Sequence, residues 1–231
     1  MSIKGLWRAL TGFEKILWIT SSIVVTVCYF LAPTGNILSL IASLFGAAAL
    51  IFSAKGYVAG QAFAVVFAVL YGIISWEVQY YGEMITYLGM SAPIALISIF
   101  SWLRHPYKKS AEVTVSRLRK KHVIGLALLA VGVTTAFYFI LGALDTANLP
   151  VSTLSVTTSF VAAALLQMRS PYYAIAYAVN DIVLITLWSL VIFEDSAAIP
   201  MIVCFLMFLV NDFYGFYNWR RMQKRQQSDQ A

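Results

Sequence analysis

"RHPYKKSAEVTVSRLRKK", Arg104 to Lys121, is the longest polar stretch of the chain and holds seven of its 16 Lys and Arg residues. Everything around it is greasy. Of 231 residues, 61% are hydrophobic and 11% charged, far from the balance of a water-soluble domain. A helix crossing a bilayer needs about 20 apolar residues. Runs of that order fall at 16-32, 36-53, 57-76, 83-103, 122-142, 152-168, 172-193 and 198-219, four on each side of the basic stretch. The first two are separated by "APTGN", Ala32 to Asn36, a turn-forming cluster. The chain reads as an all-α polytopic membrane protein with eight transmembrane helices and no water-soluble domain left over.

Charge fixes the expected orientation, because short loops rich in Lys and Arg stay in the cytoplasm. With a cytoplasmic N-terminus, eight spans put every basic residue on one side, from Lys4, Arg8, Lys15 and Lys55 through Lys108, Lys109 and Arg169 to Arg220, Arg221, Lys224 and Arg225. The opposite loops carry Glu77, Glu83, Asp145, Glu194 and Asp195. One helix more or fewer would scramble this segregation. The net charge of +6 is therefore a topology signal, and the partner it implies is the lipid bilayer rather than nucleic acid. A cleaved signal peptide is the rival reading of the first apolar run, which is longer than a signal core. Cys28 and Cys204 fall inside spans, far apart, and read as packing residues.

The blocks flanking the basic stretch resemble each other. "AKGYVAGQAFAVVFAVLYGIISW" from Ala54 parallels "MRSPYYAIAYAVNDIVLITLWSL" from Met168, and "ISIFSWLRH" from Ile97 parallels "YGFYNWRRM" from Tyr214. The implied division is an N-terminal cytoplasmic segment with an extra helix (1-33), a first three-helix repeat (34-104), a cytoplasmic connection (105-121), a linking helix and outer loop (122-150), a second repeat (151-219) and a cytoplasmic tail (220-231). One linking helix gives both repeats the same orientation. Such duplications recur in transporters, with the binding site near the midplane between the halves. The plainer reading is a larger bundle and nothing more.

Two similar segments, "VNDIVLITLW" from Val179 and "VNDFYGFYNW" from Val210, place Asn-Asp pairs inside spans. A carboxylate at the bilayer centre costs about 2.5–3.5 kcal/mol on insertion scales, so it faces a cavity or a partner. At 1.5 Å per residue both Asn180 and Asn211 lie about 12 Å from the cytoplasmic helix ends, so the pairs are level. Adjacent helical residues diverge by about 100°, so one member of each pair can face a pore while the other bonds a neighbouring helix. Asn180, Leu184 and Trp188 share a stripe, as do Asn211, Gly215 and Trp219. Trp219, beside Arg220 and Arg221, reads as an interfacial anchor. For Trp188, anchoring and stacking on a ligand stand level.

The candidate binding residues are Asn180, Asp181, Trp188, Asn211, Asp212, Tyr214, Gln61, Glu83 and Tyr87. Asn pairs a donor with an acceptor, Asp attracts cations and sugar hydroxyls, and aromatic faces hold flat, positive rings. Together they suit an aromatic, hydroxylated, cationic small molecule. Glu83 also fits a helix N-terminus complementing its dipole, and Pro93 should kink its span. His105 and His122 lack metal-site spacing, and no nucleophile motif or phosphate loop occurs, so no enzyme, metal or cofactor is implied. "GLALLAVGVTTAFYFILGAL" from Gly125 carries scattered small residues suited to joining protomers.

The segments "LYGIISWEVQYYGEMITYLGMSAPIALISIFSWLRHP", "RSPYYAIAYAVNDIVLITLW" and "FLVNDFYGFYNWRRM" resemble the PnuC family of bacterial nicotinamide riboside transporters over about residues 34-222. The resemblance implies a SWEET-like fold, a homotrimer in the bacterial inner membrane with both termini cytoplasmic, and facilitated diffusion of nicotinamide riboside trapped by cytoplasmic phosphorylation. It points to Asn180 as a substrate contact. Relatives of similar fold carry other vitamins. Two departures stand out: an extra N-terminal helix, and apolar or small residues, Phe67 and Ala95, where the first repeat would match the polar positions of the second.

Overall fold

A computed structural model describes residues 3–31, 36–108, 110–190, 192 and 198–229. Most of the "APTGN" break, together with Lys109, Glu194 and Asp195, lies outside the described residues. The described chain is helical: α1 (Ile3–Ala9), α2 (Gly12–Leu31), α3 (Ile37–Ala54), α4 (Val58–Glu77), α5 (Tyr81–Ile85), a π-helical turn (Thr86–Ser91), α6 (Ala92–Leu103), α7 (Lys120–Ala143), α8 (Leu149–Gln167), α9 (Tyr173–Ser189) and α10 (Ala198–Ser228). The rod from α5 through α6 is one span, so among the described residues seven helices are long and apolar enough to cross a bilayer and α9 is a shorter eighth.

The ends of these helices show the alternation that the charges demand. Lys55 at the end of α3 is paired at 2.9 Å with Glu14 at the start of α2. At the opposite face Asn36 caps α3, accepting from the Leu38 amide at 2.8 Å, and donates to Glu77 at the end of α4 at 2.9 Å. Four helices close in the same way, with a left-handed residue that lets the next amide reach back five positions: Tyr57 to Phe52, Tyr80 to Ser75, Thr146 to Leu141 and Ser170 to Leu165. The left-handed residues are Gly56, Gln79, Asp145 and Arg169. Gly56 and Arg169 close the matching turns of the two repeats. At Gly56 an added Cβ would lie 2.8 Å from Met222 Cε, so glycine suits this left-handed turn and leaves room for that side chain.

Small residues set how closely the repeats pack. A Cβ on Gly46 of α3 would fall 2.2 Å from Phe208 of α10, and one on Gly60 of α4 would fall 2.4 Å from the Ser53 backbone of α3. Without a hydrophobic drive between helices in lipid, such close approach is what gains packing energy. By contrast α7 buries only Leu126 and Leu141 and shows the rest of its apolar surface outward.

Three expectations change. The break at Pro93 is not a simple kink: Pro93 sits in the first turn of α6 directly after the π-helical turn. A proline cannot donate to the carbonyl four residues back, and the wider turn absorbs that lost bond. The last helix continues past Trp219 to Ser228, because "RRMQKRQQS" offers good helix formers and no breaker. Its 31 residues span about 46 Å, longer than the roughly 30 Å hydrocarbon core of a bilayer. An unanticipated helix, α1, precedes the first span.

The end of α10 meets the basic connection. Residues 110–116 run across the face that carries Lys55 and Arg169, where the Val113 amide donates to Gly56 O and the Ser116 amide donates to Arg169 O, both at 2.9 Å. Gln226, 3% exposed, accepts from the Val115 amide and donates to Glu112 and to Val113 O. Arg225 pairs with Glu112, and Lys108 and Tyr107 both donate to Asp229. The connection is thus a strap bonded to the matching turn of each repeat.

Candidate functional site

The repeats enclose a cavity of about 90 Å³ between α3, α4, the π-helical turn, α6, α8, α9 and α10. Five of the candidate residues line it: Gln61, Tyr87, Asn180, Asp181 and Asp212. Its other walls include Ser53, Ser91, Ser159, Tyr173, Tyr177, Phe67, Ala95 and Phe208, and no Lys, Arg or His. Small-molecule sites usually measure about 300 Å³ or more, so side chains must part before a nucleoside-sized ligand fits.

Asn180 is fixed from behind. Its Oδ1 accepts from Thr158 Oγ1 at 2.8 Å and Ser159 Oγ at 2.9 Å, both on α8. Both bonds fall at one end of the amide, which leaves the other end for a ligand. Asp181 of α9 and Asp212 of α10 line the cavity from neighbouring helices, and each has one buried carboxyl oxygen with no hydrogen-bond partner. Gln61 donates to Ser53 Oγ at 3.3 Å, across the tight α3–α4 contact. Aligning the segments that begin at Ala54 and Met168 puts Phe67 in the place of Asp181, and aligning Trp102 with Trp219 puts Ala95 in the place of Asp212. All four line the cavity, so one wall is acidic and the matching wall is apolar.

Aromatic plugs close both ends. Towards the Glu77 face, Tyr71, Tyr87, Phe67, Phe205 and Trp188 interlock, with Tyr71 and Tyr87 centroids 4.3 Å apart. Trp188 Nε1 donates to Tyr71 Oη at 2.8 Å. Towards the basic face, Trp219 packs on Tyr173 at 5.0 Å and on Trp102 at 5.7 Å, and its Nε1 donates to Ser53 O. Trp219 is 0% exposed, so the interfacial-anchor reading fails. Gly215 lies against Tyr173 and lets that ring reach Trp219.

Four candidates are not on the cavity wall. Trp188 sits in the plug. Asn211 turns away and donates to Ser21 Oγ of α2 at 3.0 Å and to Met207 O at 2.7 Å. Tyr214 donates to Glu14 at 2.7 Å, also towards α2. Glu83, 1% exposed, accepts from Ser155 Oγ and joins α5 to α8. The second Asn-Asp pair therefore splits between cavity and helix contact, as the 100° rule requires. The first does not: both Asn180 and Asp181 reach the cavity, which wraps far enough around α9 to touch adjacent residues. Ser53, Ser91, Ser159 and Tyr173 were not anticipated. A small polar residue on a small-residue helix carries no sequence signal that separates lining from packing.

The family profile described as nicotinamide mononucleotide transporter matches residues 36–221. This chain belongs to that family. Curated relatives within the match are nicotinamide riboside transporters named PnuC. The protein of Neisseria mucosa is 24% identical over 227 residues, covering 96% of this chain and 86% of the relative. That of Haemophilus influenzae is 22% identical over 213 residues, covering 91% of each. The crystal structure of a vitamin B3 transporter PnuC aligns with a TM-score of 0.85 at 24% identity, over 98% of this chain and 100% of that one. The PnuC fold is thereby shown. The family profile begins after α2, yet the solved structure aligns across nearly the whole chain, so the N-terminal helix is less of a departure than its position outside the repeats suggests.

Proposed function

We propose that this protein takes up nicotinamide riboside by facilitated diffusion through rocking of the two repeats about the central cavity. The observation that carries the proposal is the cavity's inventory: two carboxyl groups, two amides, several aromatics and no basic residue among the described residues. A pyridinium nucleoside offers what these groups take, a flat cationic ring, an amide and sugar hydroxyls. A nucleotide would bring a phosphate to a wall with no cation to receive it, which favours the riboside over the mononucleotide in the family's name. Asn180 and Gln61 bind polar edges, Tyr87 and Tyr177 stack, and Asp181 with Asp212 meets positive charge. The basic face lies in the cytoplasm of a bacterial inner membrane, both termini are cytoplasmic, and phosphorylation inside traps the product. The outward apolar face of α7 joins protomers into a homotrimer. No chemical step is performed on the substrate.

Purified protein in proteoliposomes without an ion gradient should show saturable uptake of labelled nicotinamide riboside and none of the mononucleotide. No saturable flux would overturn transport of this substrate. Flux that strictly required a proton or sodium gradient would overturn facilitated diffusion.

A further inference from the structure

We propose that the groove between α2 and α10 at the basic face binds one anionic phospholipid, with its headgroup on Arg221 and an acyl chain against Leu17 and Val210. The site is separate from the central cavity and does not depend on what crosses the membrane. Two hollows adjoin there. The first, about 490 Å³, holds three cations, Lys55, Arg221 and Arg225, and two acids, Glu14 and Glu112. The second, about 430 Å³, is lined by Phe13, Leu17, Val210, Tyr214 and Tyr217. Phe13, Tyr214 and Tyr217 line both, so the polar hollow runs directly into the apolar one.

The sequence of α10 builds this gradient. Val210, Tyr214, Tyr217 and Arg221 recur at helical spacing, so one face passes from aliphatic to aromatic to basic as α10 approaches the basic face. Phe13 and Leu17, one turn apart on α2, supply the facing wall, with the Phe13 and Tyr214 ring centroids 5.2 Å apart. That order matches a lipid read from chain to interface to phosphate. A water-soluble anion would cover only the polar hollow, whereas a phospholipid covers both.

The charges favour an anionic lipid. Glu14 is answered by Lys55 at 2.9 Å, and Glu112 by Arg225. Arg221 is exposed and has no ion pair among the described residues, so the polar hollow carries one net positive charge. A phosphodiester brings one negative charge and paired oxygens that suit a guanidinium. Basic pockets between spans draw such headgroups from an anionic leaflet. Glu14, 1% exposed, also accepts from Tyr214 Oη at 2.7 Å, which fixes the ring shared by the two hollows.

Native mass spectrometry of the delipidated protein tests this. Dioleoyl phosphatidylglycerol should bind at one lipid per chain, about five-fold more tightly than dioleoyl phosphatidylcholine. Arg221→Gln should erase that preference, while Arg104→Gln, which removes an exposed charge of the same face outside the groove, should keep it. Val210→Trp, which fills the apolar hollow, should weaken binding of both lipids. Equal binding of the two lipids by wild type would overturn the proposal, as would an undiminished preference in Arg221→Gln. Displacement of phosphatidylglycerol by an equal concentration of inorganic phosphate would show a site for free anions and overturn the lipid. A changed number of chains per particle in Arg221→Gln or Val210→Trp would give the groove to a second copy of this chain instead. Both substitutions fall at exposed positions, and if one variant fails to fold the other decides.

Discussion

Asn211 donates from its side-chain amide to Ser21 Oγ at 3.0 Å, tying α10 to α2. Its neighbour Asp212 points away from α2, into the cavity. Asn211→Ala removes two buried hydrogen bonds. At about 1 kcal/mol each, the variant should melt several degrees lower in detergent while the uptake KM changes less than about two-fold. A large rise in KM at normal stability would place Asn211 on the substrate instead.

Asn180→Ala should do the reverse. Losing one ligand bond of about 1–2 kcal/mol should cut uptake about ten-fold, with the elution profile of the purified protein unchanged. Loss of the folded protein without a specific defect in uptake would show that Asn180 serves only to join α9 to Thr158 and Ser159 of α8.

Gly60→Ala should be more damaging than a single methyl suggests. The new Cβ would meet the Ser53 amide nitrogen at 2.4 Å and Ala49 O at 2.9 Å, and backbone atoms cannot swing aside. Overpacking of this kind costs about 1–3 kcal/mol. Thermal denaturation should show it, and Gly125→Ala, which meets nothing within 4 Å, is the control.

Gln226→Ala should loosen the strap's hold on α10. Trypsin should then cut at Arg117 or Arg119 several-fold faster than in wild type, read by gel under native conditions. Unchanged cleavage would mean that the bonds to Gly56 and Arg169, with the Arg225–Glu112 and Lys108–Asp229 pairs, hold the strap without Gln226.

Acid should affect the neighbouring tail contact only well below neutrality. Hydrogen bonds from Lys108 and Tyr107 hold the Asp229 carboxyl below its ordinary 3.8. A depressed carboxyl contributes fully above its unfolded value and loses that contribution as pH falls through the folded one. Tail docking, followed by a fluorophore at a cysteine replacing Ser228, should therefore stay constant from about pH 8 to 5.

The eight spans were legible because cost in lipid is read directly from composition, and because sixteen basic residues on alternating connections admit one threading. The acidic wall was legible for the same reason: Asp181 and Asp212 have no business in grease unless something answers them. What stayed hidden depends on rotation. Asn211 and Asp212 differ by one position, and only the packing of α2 against α10 decides which turns inward. Trp219 misled because a Trp next to two Arg residues looks interfacial until Trp102 and Tyr173 are seen to enclose it. Pro93 announced a break but not that the break would be a π-helical turn, which depends on how the freed carbonyl is accommodated.

The strap gives the strongest constraint on motion. Its two amide bonds, Val113 to Gly56 and Ser116 to Arg169, sit three residues apart on one extended segment. Three extended residues reach at most about 10 Å, so the two turns are leashed to each other at that distance. The basic-face ends of the repeats cannot separate widely while both bonds hold. Opening on this side must break one end of the leash or swing both turns together, so the loop that announced the fold also limits how far the protein can open.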